Sequence, residues 1–186
     1  MWNKLVSAGP ATCTKRNRQT TQSGIYSDDK QKEYIMNVEK VTKIIERLPN
    51  LSTALGMRFI STPDEDMCMA VMKVDERNRQ PFGFLSGGAS LALAENVAGV
   101  GSTALCPRKI CVGVSVSGQH VKAVAEGDTV TALAHLVSKG RKLHVWQVNI
   151  TNSAGELIST VHVTNYIITP RTSSNRSKDN AGQKEQ

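Results

Sequence analysis

Apolar residues fall into three patterns along this chain. Val38, Val41, Ile44, Ile45 and Leu48 recur every three or four residues, which predicts an amphipathic helix over 37–48. Pro49-Asn50 ends it, and 51–55 can form one further helical turn. From Met57 the period changes to two. A strand at 57–61 returns as 67–74 through the polar turn 62–66, with Cys68, Ala70, Met72 and Val74 on one face. Strands of the same kind are predicted at 110–117, 130–137, 143–151 and 157–168, the first running on less regularly to 125. Turns at 107–109, 126–128, 139–140 and 152–155 separate them, so the last three form an antiparallel meander.

The third pattern organises the rest. In residues 80–105, QPFGFLSGGASLALAENVAGVGSTAL, a turn broken by Pro81 and Gly83 leads through Ser86-Gly-Gly into about five turns of helix. Between Ala89 and Leu105 the only ionisable side chain is Glu95. A helix so apolar belongs in a core or at a subunit interface. A carboxylate placed there loses hydration and becomes a candidate general base or nucleophile. Ser86 is a suitable N-cap, and the N–H groups after it can face a developing negative charge. Nine residues separate Ser86 from Glu95, roughly 900° of rotation and about 13 Å of rise. The two therefore point to opposite sides of one helix. If both serve one reaction, a second copy of the chain supplies one of them.

The layout is a strand pair, a long apolar helix and four strands. One helix wrapped by a single curved antiparallel sheet satisfies it, an α+β arrangement.

Gln80-Pro-Phe-Gly, Ser86-Gly-Gly-Ala-Ser and Leu93-Ala-Glu95 resemble the signature of hotdog-fold acyl-CoA thioesterases. The branch most similar is that of the 1,4-dihydroxy-2-naphthoyl-CoA hydrolases of menaquinone synthesis and the related phenylacetate-pathway enzymes. The resemblance runs from about Leu55 to Ile168 and includes Val112-Gly113, His120-Val-Lys122 and Val145-Trp146-Gln147. It implies the hotdog fold and a thioester hydrolase, with Glu95 attacking the thioester or activating water. It further implies that the Gly87 N–H polarises the carbonyl and that Gln80 positions substrate. Acyl-CoA binding falls on Ser86, Gly113, His120, Val121, Lys122 and Ala123, and on Ser138, Lys139, Gly140, Arg141 and Lys142. Where the family has His-Gly-Gly, this chain has Ser86-Gly-Gly. A broad short-chain or aromatic acyl-CoA hydrolase and a non-catalytic acyl-CoA-binding hotdog protein are the alternatives.

Composition narrows the remaining classes. The 186 residues suit one domain with tails, expected as 1–35, 36–170 and 171–186. The net charge of +7 is spread as +3, +2 and +2 over those segments, so the basic character comes mostly from the ends and argues against a nucleic-acid partner. Residues 1–27 carry basic but no acidic side chains, as organelle transit peptides do, although Gly9-Pro10 interrupts the helix such a peptide needs. The alternative is an upstream extension with the natural start at Met36. Both ends read as disordered. Cys13, Cys68, Cys106 and Cys111 form no CxxC pair, and the four histidines have no metal spacing, so reduced thiols and no metal are expected. No run of apolar residues is long enough for a membrane span. Neither a Gly-x-Ser-x-Gly elbow nor a glycine-rich nucleotide loop occurs. The expectation is a cytoplasmic homo-oligomer, dimer or tetramer, with no cofactor beyond the coenzyme A of its substrate.

Overall fold

The computed structural model describes residues 36–170. The expectations for 1–35 and 171–186 lie outside the described residues. Nine elements follow in order: α1 (Glu39–Ile45), α2 (Leu51–Ala54), β1 (Met57–Ile60), β2 (Met67–Lys73), α3 (Gly87–Leu105), β3 (Ile110–His120), β4 (Thr129–Lys139), β5 (Leu143–Thr151) and β6 (Leu157–Ile168). The strands make one six-stranded sheet in the order β1-β2-β4-β5-β6-β3, every neighbouring pair antiparallel. The predicted meander is β4-β5-β6, and α3 packs across the sheet.

The period-two pattern does what a half-buried strand requires. Cys68, Ala70 and Met72 of β2, Val130, Ala132 and Ala134 of β4, and Trp146, Val148 and Ile150 of β5 are all fully buried. They face Leu93, Ala94, Val97 and Ala98 of α3, which are equally buried. Gly101 sets the closeness of that contact. A Cβ built there would lie 2.7 Å from the Trp146 ring and 3.1 Å from the Cys68 Cβ, so the indole occupies the space a side chain would need. Burial pushes the Cys68 thiol up to about 12, which leaves it an inert core group.

Two expectations need correction. The first helix is shorter than 37–48, and its stripe is not covered: Ile44 is 63% and Leu48 73% exposed. Strand β3 ends at His120, short of the less regular run expected to 125, with an irregularity in its pairing between Gly113 and Ser115. The helix α3, expected in a core or at a subunit interface, buries one stripe fully and the other only in part. Ala92, Glu95, Asn96, Gly99 and Thr103 are half-buried along one stripe, while the opposite stripe forms the core. Among the described residues no helix is long and apolar enough to cross a membrane.

Candidate active site

The loop into α3 closes on itself before the helix begins. The Gln80 N–H donates to the Phe84 carbonyl at 2.8 Å and the Gly83 N–H to the Gln80 carbonyl at 3.0 Å. Gly83 has φ 81°, a conformation glycine adopts without strain. The Leu85 N–H donates to the Val124 carbonyl at 2.8 Å and ties the loop to the chain beyond β3. Asn78, buried, anchors the entry: its Nδ2 donates to the Lys73 carbonyl at 2.8 Å and its Oδ1 accepts from the Asp75 N–H at 3.1 Å. Sequence reading missed this residue, although an Asx side chain in a four-residue polar loop is a recognisable turn device.

Ser86 occupies the N-cap position of α3, but its side chain makes no capping hydrogen bond, contrary to expectation. Its carbonyl instead accepts from the Ser90 N–H at 3.1 Å, and its own N–H donates to the Asn78 carbonyl at 2.9 Å. The first-turn N–H groups of an α-helix have no intrahelical acceptor, and here the first belongs to Gly87. That glycine lines a cleft of about 310 Å³ with Gln80, Ser90, His120, Lys122 and Ser159 among its walls. A Cβ on Gly87 would come within 2.7 Å of His120 Nε2. The imidazole is steered from its other side, where Nδ1 pairs with Ser159 Oγ at 2.9 Å. Lys122 is bound to Glu156 by a short ion pair, which holds the Glu156 carboxyl below the usual carboxylate range.

Glu95 lies elsewhere. It lines a second cleft, about 450 Å³, with Ile44, Leu51, Gly99, Thr103, Gly113 and Asn165 among the walls. No residue is common to the two clefts. Gly113 on β3 is what admits the carboxylate: a Cβ there would sit 3.0 Å from Glu95 Cδ and 3.1 Å from Cγ. Ser86 lines neither cleft, and the residues that do, Gly87 and Glu95, stand roughly 80° and about 12 Å apart on α3, so the half-turn offset expected from Ser86 is not the relation between the two openings.

The remaining predicted residues divide between the clefts or miss both. Val121 and Ala123 line the Gly87 cleft with His120 and Lys122. Ser138, Lys139, Gly140, Arg141 and Lys142 form the β4–β5 turn and line neither. That turn meets the C-terminal end of β6, where the Ile167 N–H donates to the Lys142 carbonyl at 2.8 Å. His120, by contrast, pairs with Ser159 near the start of β6. The two sets are therefore separated by the length of the strands, on the order of 25 Å, and one chain does not bring them together.

A buried polar cluster also went unread. Ser102, His144, Trp146 and Asn165 meet beneath the last turns of α3. Burial first, then the cations Lys139 and Lys109, hold the His144 imidazole below its ordinary range.

Known proteins share this sequence and fold. Residues 82–159 match the family described as the thioesterase superfamily. A Deinococcus radiodurans protein named as an esterase is 45% identical over 120 residues, 63% of this chain and 74% of that one. The chain belongs to the thioesterase superfamily. The 1,4-dihydroxy-2-naphthoyl-CoA hydrolase of Escherichia coli is 35% identical over 64% of this thioesterase and 87% of its own length. The crystal structure of a mutant thioesterase from Pseudomonas aeruginosa superposes with a TM-score of 0.66 at 29% identity, covering 72% of this chain and 95% of that one. The helix-on-sheet architecture is the hotdog fold, and the protein is a thioester hydrolase of the hotdog acyl-CoA thioesterase family.

Proposed function

We propose that two copies of this chain pair so that the Glu95 cleft of one meets the Gly87 cleft of the other. The joint site hydrolyses an aromatic acyl-CoA thioester, with 1,4-dihydroxy-2-naphthoyl-CoA in menaquinone synthesis as the favoured substrate. One observation carries the pairing: the two reactive groups belong to one helix yet line clefts with no wall in common. The Glu95 cleft is also rimmed by side chains that water should not favour, Ile44 at 63% and Leu51 at 53% exposed. Beside it runs the open edge of β3, eleven residues long with Val112 and Val114 exposed. Such an edge and apolar rim are the features that partners cover.

In this reading the thioester carbonyl lies against the Gly87 N–H, where the positive end of the α3 dipole stabilises the oxyanion. Gln80 holds the acyl group in place from the same cleft. Glu95 adds to the carbonyl carbon, or takes a proton from a water that does so. In the water route the C–S bond then breaks and coenzyme A leaves as the thiol after receiving that proton; in the nucleophilic route it leaves as the thiolate and takes its proton from the water of the second step. With Glu95 as nucleophile, water hydrolyses the resulting anhydride in a second step. Lys122 meets a coenzyme A phosphate by exchanging it for Glu156. The cations of the β4–β5 turn reach a nucleotide only when they come from a different chain than the Gly87 cleft it approaches.

The substrate choice rests on the resemblance of the 80–95 segment and on the relatives bearing that hydrolase name, 30% and 35% identical. Ser86, in place of the family's histidine, favours a second reading as a broad aromatic or short-chain acyl-CoA hydrolase. Steady-state release of coenzyme A thiol from naphthoyl, benzoyl, phenylacetyl and short aliphatic thioesters separates the two. A kcat/KM for 1,4-dihydroxy-2-naphthoyl-CoA at least tenfold above the others supports the first reading. A flat profile across the panel supports the second.

A further inference from the structure

Four glycines lie in α3, and three of them have an evident structural reason. Gly87 and Gly88 form the first turn, where Gly87 stands against His120, and Gly101 gives its space to the Trp146 ring. Gly99 has no such neighbour. A Cβ built there meets nothing within 4 Å, and its backbone needs no positive φ. Glycine in a helix interior is less favourable than alanine, so the fold alone gives no ground for it.

The empty space belongs to the Glu95 cleft. Gly99 is half-buried and forms part of the wall of that cleft. It follows Glu95 by four residues and precedes Thr103 by four, which puts the three in one row along α3. The helical rise spaces them about 6 Å apart. Beyond the carboxylate, the polar side chains of α3 in this wall are already engaged. The Thr103 hydroxyl donates to the Gly99 carbonyl at 2.8 Å. The Asn96 amide donates to the Ala92 carbonyl at 2.8 Å and accepts from Ser52 Oγ at 2.7 Å. Val41, Ile44 and Ile45 of α1 stand among the other walls. One helical turn past Glu95 there is thus a notch with apolar sides, no side chain of its own and no free polar group on the helix.

We propose that Gly99 is a specificity-determining residue of this thioesterase, its missing side chain making room for the bulk of the acyl group beyond the carboxylate. The inference rests on the reading that Glu95 acts on the thioester and that the acyl group is aromatic. It adds the position that sets how large that group can be. A ring lying in the notch meets apolar surface and displaces no committed hydrogen bond.

The test measures kcat/KM of the full chain on acetyl-CoA, benzoyl-CoA and 2-naphthoyl-CoA for the wild type, Gly99→Ala and Gly99→Val. Valine is the larger probe because its methyls stay over their own turn, whereas leucine would lean back over Glu95. Activity on 2-naphthoyl-CoA should fall about tenfold in Gly99→Ala and about 100-fold in Gly99→Val, with benzoyl-CoA less affected. Acetyl-CoA should lose less than about threefold. The melting temperature of Gly99→Ala should rise by roughly 3 °C, since alanine suits a helix interior better. A fall in its place would return the glycine to the fold and overturn the proposal. So would one common factor of loss on all three thioesters, or no loss on any. A changed solution mass in Gly99→Val would overturn it too, giving the space to a second copy of the chain. Glu95→Gln on the same panel separates these failures from that of the underlying reading. If that variant stays active, the site reading fails and the role of Gly99 with it. If it is inactive while Gly99→Val remains blind to size, only the Gly99 proposal falls. If the wild type cleaves neither aromatic thioester, the aromatic reading fails, and octanoyl-CoA against acetyl-CoA decides the role of Gly99 by the same ratio.

Discussion

The two clefts flanking α3 are unlike in chemistry as well as position. The one at Gly87 is rich in donors: a first-turn N–H, the Gln80 amide, His120 and Lys122. The one at Glu95 holds a carboxylate within a wall of Val41, Ile44, Ile45, Leu51 and Val100. The first can stabilise negative charge, and the second can supply a nucleophile or take a proton. Acyl transfer to water needs both at one carbon. On the proposed pairing, the difference makes the unit of catalysis larger than the unit of folding.

The strongest way to break this division is at the carboxylate. Glu95→Gln keeps the shape of the side chain but can neither attack nor accept a proton. We expect kcat to fall about 10²- to 10⁴-fold with the melting temperature unchanged. Near wild-type turnover would remove Glu95 from the mechanism. Mixing tests the sharing itself. Glu95→Ala removes one half; Gly87→Pro disables the other, removing its N–H at a first helical position whose φ proline fits while its Cβ displaces the His120 imidazole. A one-to-one mixture of the two inactive proteins should regain about a quarter of wild-type activity, because half the dimers are mixed and each has one whole site. No recovery after confirmed subunit exchange would mean that the clefts work within one chain.

Gly113→Ala probes the carboxylate more gently. The added methyl meets the flexible end of Glu95 rather than backbone, so the side chain must move while the sheet stays paired. Turnover should drop on the order of tenfold, with little change in stability. Equal loss of both would show that Gly113 serves the sheet instead.

Acid should act on the far side of the Glu95 cleft. His144 titrates lower in the fold than when unfolded, mainly through burial. The unfolded chain therefore takes up the proton first, and the stability tied to neutral His144 is complete above about pH 6.5 and lost as pH falls through the folded value. Thermal melts from pH 7.5 to 5 should show a decline that His144→Gln reduces. An unchanged slope in the variant would assign the decline to other groups.

The smallest effect is expected at Ser86. Its hydroxyl makes no cap bond, so Ser86→Ala should shift stability by less than about 0.5 kcal/mol. A loss near 1 kcal/mol would restore the capping role that sequence alone suggested.

What could be read from the sequence was what repeats locally. Strand periodicity grouped the residues that form the buried face of β2, and the lone carboxylate of an apolar helix singled out Glu95. The rise of about 13 Å from Ser86 to Glu95 already put the helix start and the carboxylate too far apart for one carbonyl. The sheet order could not be read this way, because nothing local tells β3 to pair with β6 rather than β4. That is why the Ser138–Lys142 turn and the His120–Ala123 segment, grouped by resemblance, lie at opposite ends of one chain. The apolar stripe of α1 misled for a related reason. Periodicity shows that Ile44 and Leu48 share a face, not whether the chain itself covers it. The Ser102–His144–Trp146–Asn165 cluster joins residues up to 63 positions apart through bonds to a serine hydroxyl, and no spacing rule marks them.

The pairing of β3 with β6 also bears on the order in which the molecule assembles. β4, β5 and β6 are joined by short turns and can zip together with little loss of chain entropy. β3 must wait for a partner that begins 37 residues after its own end, at Leu157 against His120, and α3 must dock before both edges close. Gly113 and Glu95 therefore meet late. A chain paused before that step exposes β3 as a long apolar strand with both edges open, the species most prone to join another chain in the wrong register. The strand that completes the carboxylate cleft is thus the same one whose delay sets the window for misassembly.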